Sequence, residues 1–303
     1  MLNYYNEIVR DDVVYSIDMV RIRLDFSSEE RIKLFGDWCC RIENLHIESY
    51  PLSTKAFSYR YLFKITCENG NSFVCGLGFN GTTKDSFYLG FLEFNPNKVA
   101  EEKEFVEFMT VLGAHCFRSD ISRYDLAIDV PVSRSYCSLS KDKRKYSLVQ
   151  NSMEDMTEYL GTHSNSGFVK LYNKKVESDL DYELTRLEIT VDWALSYSEF
   201  CDLVPVIDVA DYQYNLAISS SLNSTDRVIC DLIKRVPLHE QRYYFNRLAQ
   251  IKRQKLKPFI FSQSDSQHKF GVPKDVFLQL KKQLRKFDLC TKYTLIDDIK
   301  DYG

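Results

Sequence analysis

The sequence predicts an α+β fold, in which an antiparallel-rich central sheet with packed helices is followed by a helical, basic C-terminal module. Up to about residue 196, segments of alternating apolar and polar residues are frequent, and Glu68-Asn69-Gly70-Asn71 between two of them is a strong hairpin signal. From Tyr197 onward, apolar residues recur at the spacing of amphipathic helices. The 303 residues, 44% hydrophobic and 27% charged, have the composition of a globular protein, which excludes a disordered or collagen-like chain.

The first elements follow from alternation and capping signals. Residues 17–26 alternate apolar and polar side chains, so we expect a half-exposed strand there. A helix should follow, because Ser27 or Ser28 can cap it and acidic residues fall in its first turn. In chain order we then expect strands at 57–67, 72–79 and 86–94, a helix at about 99–116 and a strand at 121–132.

The second part of the chain changes from strands to helices. After a basic stretch at 141–147 we expect a short helix or turn, and then strands at 167–173 and 183–193. Helices are expected at about 197–204, 225–236, 239–257 and 273–287, the last opening with Pro273 at the favoured first helical position. A Ser-rich run weakens the core signal near 206–224. The domains are therefore predicted as 1–205 and 225–303, joined by a linker at 206–224.

One glycine motif matches a nucleotide-binding pattern by letter only. Gly76, Gly78 and Gly81 fit GxGxxG, but a dinucleotide site needs a helix to open at the third glycine. Here the residues that follow are predicted to be another strand. We interpret these glycines as strand and turn residues instead.

The cysteines, the apolar runs and the first residues of the chain predict the cellular compartment. The nine cysteines are odd in number and contain no CxxC pair, which favours reduced thiols over disulfides or a zinc site. No apolar run approaches the roughly 20 residues that cross a bilayer. The first residues lack the basic and apolar regions of a secretory signal. We therefore expect a cytoplasmic protein with no membrane partner.

Charge is distributed unevenly along the chain. The net charge is −3, yet residues 226–286 contain 15 Lys and Arg against five Asp and Glu, which leaves −13 for the remainder. An acidic body with a basic module that binds a polyanion explains this asymmetry, and a solvated charged helical surface is the alternative. The apolar stripe along 276–287 is expected to be core. The side chains predicted to contact DNA phosphates are Arg242, Arg247, Lys252, Arg253, Lys255, Lys257, Lys281, Lys282, Arg285 and Lys286.

Three predicted strands place charged side chains on one face each. Alternation groups Arg123, Asp125 and Asp129 in the first, Arg186, Glu188 and Thr190 in the second, and Lys170, Tyr172 and Lys174 in the third. If these strands are neighbours, one sheet face presents acids that could hold a hard divalent cation beside bases that could hold phosphate. Oxygen ligands favour Mg²⁺ or Mn²⁺. The alternative is a solvent-facing sheet covered with ion pairs.

These same residues carry a resemblance. Thr157-Glu-Tyr159-Leu-Gly161, followed by Tyr172-Asn-Lys174-Lys-Val-Glu177, resembles the signature of the Rep_trans replication initiators, the rolling-circle initiators of small Gram-positive plasmids. The segment from Arg123 to Asp129 resembles the RxDxAxD strand of that family, and Arg186-Leu-Glu188 resembles its R-x-E strand. Residues 17 to about 192 carry these motifs in the family order, with Thr162 where the family usually has Ser.

The resemblance implies a metal-dependent endonuclease domain at 1–205 that nicks one DNA strand at an origin and becomes linked to the 5′ phosphate. The nucleophile would be Tyr159, since a phenol with a pKa near 10 can attack phosphorus and later act as a leaving group. Asp125 and Glu188 would bind Mg²⁺ or Mn²⁺, with Asp129 as the alternate ligand. Lys174 and Arg186 would contact the phosphate. Tyr172 would be a positioning residue or a second nucleophile.

The alternatives differ in what happens to the DNA. A relaxase of an integrative conjugative element would use the same chemistry, and a non-catalytic DNA-binding replication or regulatory protein would keep the fold alone. The five histidines contain no His-x-His pair, which argues against a two-histidine relaxase metal site, and His163 is interpreted as a loop residue. The resemblance also implies double-stranded and nicked origin DNA, a second copy in a homodimer and a host superfamily 1 helicase as partners.

Overall fold

The computed structural model describes residues 7–10, 12–42, 45–49, 61–79, 88–151, 155–163, 165–209, 222–236, 238–260, 267–269 and 271–289. Within these ranges the protein has an α+β fold with a large antiparallel sheet and nine α-helices, so the predicted fold class is confirmed. None of the described helices is both long enough and apolar enough to cross a membrane.

The main sheet has eleven strands, all joined by antiparallel pairs. Its order is β3-β4-β5-β6-β2-β7-β12-β11-β10-β9, with β1 paired to β2. A second sheet has the order β14-β13-β8. The strands are β1 Ile8–Arg10, β2 Val13–Phe26, β3 Leu45–Ser49, β4 Tyr61–Thr66, β5 Ser72–Phe79, β6 Tyr88–Phe94, β7 Arg118–Val130, β8 Cys137–Leu139, β9 Tyr146–Gln150, β10 Met156–Leu160, β11 Val169–Asn173, β12 Thr185–Asp192, β13 Val206–Val209 and β14 Gln267–Lys269.

The helices begin where side chains can satisfy their first backbone N–H groups. Ser28 caps the first helix by accepting from the Arg31 N–H, and Ser196 forms a complete capping box with Glu199. The helices are α1 Glu29–Cys39, α2 Pro96–Val99, α3 Lys103–His115, α4 Lys174–Ser178, α5 Tyr197–Leu203, α6 Ser224–Arg235, α7 Leu238–Asn246, α8 Gln250–Ile260 and α9 Lys274–Leu284. Short 3₁₀ turns lie at Arg134–Tyr136 and Arg285–Phe287.

The core lies between the apolar face of the main sheet and its helices. Phe35 of α1 and Phe108 of α3 are fully buried and pack edge to face, with ring centroids 5.5 Å apart. The apolar stripe of α9 joins the same core, as predicted, and its Phe277 ring stacks on Phe200 of α5 at 4.9 Å. The opposite face of the sheet is therefore left for polar side chains.

Helices α6, α7 and α8 have a small core of their own, made mainly by Leu222, Cys230, Ile233, Phe245, Leu256 and Ile260. The predicted division into domains stays a prediction. The packing adds that α9, which lies inside the predicted C-terminal module, contributes to the core of the main sheet instead.

Several predicted elements differ from the observed ones. The short helix or turn expected before Gly167 is instead the strand pair β9–β10. The helix expected at 239–257 is two helices separated by residues 247–249, of which Leu248 packs against the small core. Val206–Val209, within the predicted linker, forms β13. Pro273 is the N-cap of α9 and not, as predicted, its first helical residue, which is Lys274. Residues 57–60, 86–87 and 210–221 lie outside the described residues.

The glycine motif has a packing explanation. Gly76 and Gly78 both lie in β5, as the strand interpretation predicts, whereas Gly81 lies outside the described residues. A Cβ on Gly76 would come within 2.2 Å of the Phe91 ring, which lies directly opposite on β6. Phe91 in turn carries the Arg21 guanidinium 4.3 Å above its centroid. The glycine therefore makes room for an aromatic ring.

A pair of glycine substitutions tests this explanation. Gly76→Ala should lower the free energy of unfolding by about 1–3 kcal/mol, because Phe91 must leave its rotamer. The matched control is Gly36→Ala in α1, where the added Cβ would make an ordinary 3.9 Å contact with Leu77. That change should raise stability by about 0.5–1 kcal/mol through helix propensity. Urea unfolding measures both, and equal stability of the Gly76→Ala protein and the wild type would contradict the packing explanation.

Candidate active site on the polar face of the sheet

The side of the main sheet opposite the core, which we call the polar face, carries most of the residues that the sequence predicts as a site. It is defined by Asp18 and Arg21 of β2, Glu93 of β6, Arg123, Asp125 and Asp129 of β7, Arg186, Glu188 and Thr190 of β12, Lys170 and Tyr172 of β11, and Tyr159 of β10. The three strands β7, β12 and β11 are direct neighbours, as the sequence interpretation requires.

One row across this face contains the predicted nucleophile. Tyr159 lies directly opposite Lys170, and Lys170 lies directly opposite Glu188. Side chains of directly opposite residues share a face, and neighbouring strands are about 4.8 Å apart. The Cα atoms of Tyr159 and Glu188 are therefore about 10 Å apart, with Lys170 between them. Asp125 lies on β7, one strand beyond Glu188, and is two residues along that strand from Ala127, which is directly opposite Glu188.

Arg186 occupies the centre of a second row. Its Nε and Nη2 donate to the two oxygens of Asp129, both at 2.6 Å, and its Nη1 donates to Oδ1 of Asp18 at 3.1 Å. The Asp129 side chain is nearly buried and both of its oxygens face this guanidinium. Such a bidentate arrangement is the strongest geometry available to an arginine and a carboxylate. The carboxylates raise the pKa of Arg186 further above its usual range.

Tyr172 holds Glu188. The Tyr172 hydroxyl donates to Oε1 of Glu188, and Lys170 Nζ lies 3.5 Å from Oε2 and 4.0 Å above the centre of the Tyr172 ring. Burial, together with the adjacent Glu188 carboxylate, raises the pKa of Tyr172 far above its usual value. A phenol that resists ionisation and orients a carboxylate suits a positioning role better than a nucleophilic one.

Three carboxylates influence one another on the central strands. Burial raises the pKa of Glu188, and the charge of Asp18 adds to that increase. Burial also raises the pKa of Asp125, which its hydrogen bond with Thr190 and the nearby Arg123 only partly oppose. The negative charge of Asp18 acts on Asp125 as well. Burial is thus the main cause of both pKa increases, and the charge of Asp18 adds to it at each carboxyl group.

The sequence interpretation missed Asp18 as a site residue. The pairing of β2 with β7 shifts between Ile17 and Met19, and this β-bulge directs Asp18 toward Arg186. A signal was present, because Asp18 lies on the even positions whereas Arg21 and Arg23 lie on the odd ones. A strand whose polar residues change parity needs a bulge to keep them on one face.

The carboxylate oxygens of the polar face suit a hard cation, although no three side chains there form a metal-binding group. Within the described part of the chain, no three His, Cys, Asp or Glu side chains are grouped closely enough to hold a metal ion. Mg²⁺ is commonly bound by one or two carboxylates plus phosphate oxygens and water, so Asp125, Glu188 and Asp18 fit that mode. Asp129 fits less well, since Arg186 occupies both of its oxygens. The metal assignments stay predictions.

The surroundings of Tyr159 keep its ring ordered and partly exposed. The ring stacks on Phe168, with centroids 5.8 Å apart and planes inclined by 18°. His163 also packs on Phe168, with ring centroids 5.3 Å apart. Gly161, directly after β10, has a φ of +90°, which allows the sharp turn there. Tyr159 is half-buried.

Lys174 lies at the end of β11 and begins α4. Its Nζ pairs with Glu177 and lies 5.9 Å from the centre of the Tyr172 ring. The helix itself is capped by Asn173, which accepts from the Val176 N–H. The predicted contact between Lys174 and a phosphate stays a prediction, since Glu177 would have to release it.

Under β10, on the side facing the core, lies a buried ion pair. Glu158 and Arg134 are both 0% exposed, and Arg134 Nη2 donates to Oε1 of Glu158 at 2.7 Å. Oε2 accepts from the Leu139 N–H at 2.9 Å, and Arg134 also donates to the Cys137 carbonyl. Since Glu158 immediately precedes Tyr159, this pair fixes the strand on which the predicted nucleophile lies.

The predicted DNA-contacting side chains fall on two separate surfaces. Six lie on α7, α8 and the turn between them, and four lie on or just after α9. Lys252 and Lys255 both pair with the buried Asp226 of α6. Lys281 donates to the carbonyls of Trp193 and Leu195, which attaches α9 to the end of β12. Their contacts with DNA stay predictions.

Comparisons with known proteins are few. No family model matches the chain, and no curated protein matches it. Among solved structures, a rolling circle replication initiator protein from Geobacillus stearothermophilus is 13% identical with a TM-score of 0.33, over 82% of this chain and 96% of that one. DynU16, a protein of the dynemicin biosynthetic locus, is 11% identical with a TM-score of 0.19, over 60% and 90% of the two chains.

The pKa of Asp125 predicts how stability depends on pH. Because its pKa is raised in the folded state, the folded protein binds more protons than the unfolded one above the ordinary value of 3.8. Stability should fall as the pH rises through this window. Asp125→Asn should therefore melt at a higher temperature than the wild type at pH 7, with the gain disappearing below about pH 3.8. The control Asp120→Asn removes an exposed carboxylate, 2.8 Å from Arg118, and should show no such gain.

The buried ion pair predicts a large loss of stability. Glu158→Gln leaves the Arg134 charge buried without a counter-ion, which should cost about 3–5 kcal/mol of unfolding free energy. The exposed pair of Glu183 with Lys175, at 2.6 Å, is the control, and Glu183→Gln should cost no more than about 1 kcal/mol. Denaturant unfolding compares the two, and similar losses would show that burial of the first pair does not determine its contribution.

Proposed function

We propose that this protein is a site-specific DNA nicking and closing enzyme that initiates rolling-circle replication. The observation that carries the proposal is the row of directly opposite residues in which Lys170 separates the half-buried Tyr159 from the partly buried carboxylate of Glu188. A phosphate placed over Lys170 would contact a nucleophile on one side and a carboxylate-bound cation on the other. The motifs at 123–129, 157–177 and 186–188, which define this row, are those that resemble the replication initiators.

The proposed reaction exchanges one phosphodiester for another. The Tyr159 oxygen attacks phosphorus and forms an O–P bond, the bond from phosphorus to the 3′ oxygen breaks, and the leaving oxygen takes a proton. The phenol proton passes to water at the exposed edge of the ring. Closing runs the same steps in reverse, with the 3′ hydroxyl displacing the phenolate.

The other residues would act through charge. Lys170 would bind a non-bridging oxygen, and Arg186 would hold Asp18 and Asp129 so that their charges do not repel the phosphate. Tyr172 would orient Glu188. Mg²⁺ or Mn²⁺, held by Asp125, Glu188 or Asp18 together with phosphate oxygens, would polarise the phosphate and neutralise negative charge.

Two alternatives remain as proposals of lower rank. A relaxase of a conjugative element would perform the same chemistry on the same residues. A non-catalytic DNA-binding protein is favoured by one observation, which is that the described carboxylates do not form a three-ligand group. A homodimer and a superfamily 1 helicase stay predictions about partners.

Substitution of single tyrosines tests the proposal. Supercoiled DNA of the replicon that encodes the protein, incubated with Mn²⁺, should be nicked and covalently attached to the wild type. Tyr159→Phe should abolish both the nick and the attachment, a loss of at least about 10³-fold. Tyr172→Phe should reduce the rate by about 10- to 100-fold while attachment persists, because only the orientation of Glu188 is lost.

The control is Tyr182→Phe, since Tyr182 is 54% exposed and lies outside the polar face. It should nick at the wild-type rate. Attachment of DNA to the Tyr159→Phe protein would exclude this nucleophile, and absence of any nick with the wild type would favour the non-catalytic alternative.

A further inference from the structure

The three helices α6, α7 and α8 form a compact unit whose last two members are joined by only three residues. Arg247, Leu248 and Ala249 connect α7 to α8, and Leu248 packs into the small core of the unit. Phe245 of α7 and Leu256 of α8 meet Cys230 of α6 in that core. Two helices joined by a turn of three or four residues and supported by a third helix have the form of a helix-turn-helix unit.

We propose that α8 is a recognition helix that enters the major groove of duplex DNA, with Gln250, Ile251 and Gln254 contacting base edges. The inference deepens the proposed function, because it assigns the residues that select the DNA sequence. It does not depend on the nicking reaction, since a non-catalytic protein would read a duplex in the same way.

The exposure of α8 identifies its outer face. Leu256 and Ile260 are buried toward α6, whereas Gln250, Gln254 and Lys257 are exposed at the four- and three-residue spacing of one helix face. Ile251, beside them in the first turn, is 80% exposed. The N-terminal turns of a recognition helix are the part that reaches base edges.

The residue types on this face match the major groove. Glutamine can bond to N6 and N7 of adenine with both ends of its amide, and an apolar side chain can contact the methyl group of thymine. Gln250 and Gln254 lie one helical turn apart with Ile251 adjacent to the first of them. This combination favours a site rich in A·T pairs.

Charge complementarity selects DNA as the occupant. Residues 238–260 contain six Lys and Arg against the single acid Glu240. Arg242 of α7 and Lys257 of α8 are exposed, and the Arg247 guanidinium is held 4.3 Å above the Tyr243 ring. These three side chains are placed to contact phosphates beside the groove.

Lys252 and Lys255 have a different task in this arrangement. Both reach the carboxylate of Asp226, whose side chain is 0% exposed, and thereby attach α8 to the start of α6. Asp226 is in turn placed by the Asn223 cap. The two lysines thus orient the recognition helix, so the bases are left to the residues of the outer face.

Selection from random sequence tests the assignment with the full chain. The probe is a pool of synthetic 40-bp duplexes, each with a randomised central segment of about 20 bp, a length that covers a standard site of one or two helical turns. We expect the wild type to enrich a motif, and the double variant Gln250→Ala/Gln254→Ala to lose preference at two or more of its positions. Each lost contact should reduce discrimination by about 5- to 100-fold.

Two matched variants separate reading from general attraction. Arg242→Ala/Lys257→Ala should still enrich the wild-type motif. Its affinity for the motif duplex and for a scrambled duplex should fall by about the same factor, and both affinities should depend less on salt concentration. Gln279→Ala, an exposed glutamine of α9, should behave as the wild type. Thermal unfolding confirms that each variant is folded.

The assignment is overturned if Gln250→Ala/Gln254→Ala enriches the wild-type motif unchanged, or if the folded wild type enriches none. Tyr159→Phe should enrich the same motif as the wild type. If the wild type enriches a motif but nicks no DNA, only the proposed reaction is contradicted. If the wild type nicks DNA but Gln250→Ala/Gln254→Ala enriches the wild-type motif unchanged, only the recognition helix is contradicted.

Discussion

The polar face depends on the guanidinium of Arg186. Asp18, Asp125, Asp129 and Glu188 place four acids on three neighbouring central strands, where burial makes their mutual repulsion costly. Arg186 engages two of them directly, with a bidentate bond to Asp129 and a third bond to Asp18. The sheet can therefore keep a carboxylate-rich surface at its centre, which an apolar or uncharged residue at 186 would not allow.

Two buried charge systems fix the strands on either side of this surface. Arg186 ties β2, β7 and β12 together on the polar face, and Arg134 ties β10 to the segment before β8 on the core side. Buried ion pairs contribute little net stability, but removing one partner is expensive, so they specify one arrangement over others. The strands that carry Tyr159 and Glu188 are thereby held in a single register, as a site with a fixed gap requires.

Alternation predicted the faces of β11, β12 and the part of β7 from Arg123 onward, because the charged residues keep one parity there. It did not predict β10, where a helix or turn was expected: Glu158 is a charged residue at a core position, and its partner Arg134 lies 24 residues away. It also failed for Asp18, which a bulge places on the polar face. The break between α7 and α8 was not predicted either. Local patterns thus predicted the strands β2, β4, β5, β6, β7, β11 and β12 and most of the helices, whereas the other strands were not predicted.

The two tyrosines on adjacent strands show how one sheet can give the same side chain different chemistry. Tyr172 is 4% exposed and bonded to Glu188, so its ionisation would place two negative charges side by side in a buried site. Tyr159 lies one strand nearer the sheet edge, half-buried and stacked on Phe168, with Lys170 directly opposite. The Lys170 ammonium lies 4.0 Å above the Tyr172 ring and 3.5 Å from Glu188, so its charge is taken up by these two residues. The position in the sheet thus gives the two tyrosines different surroundings, and the role of Tyr159 as nucleophile stays a prediction.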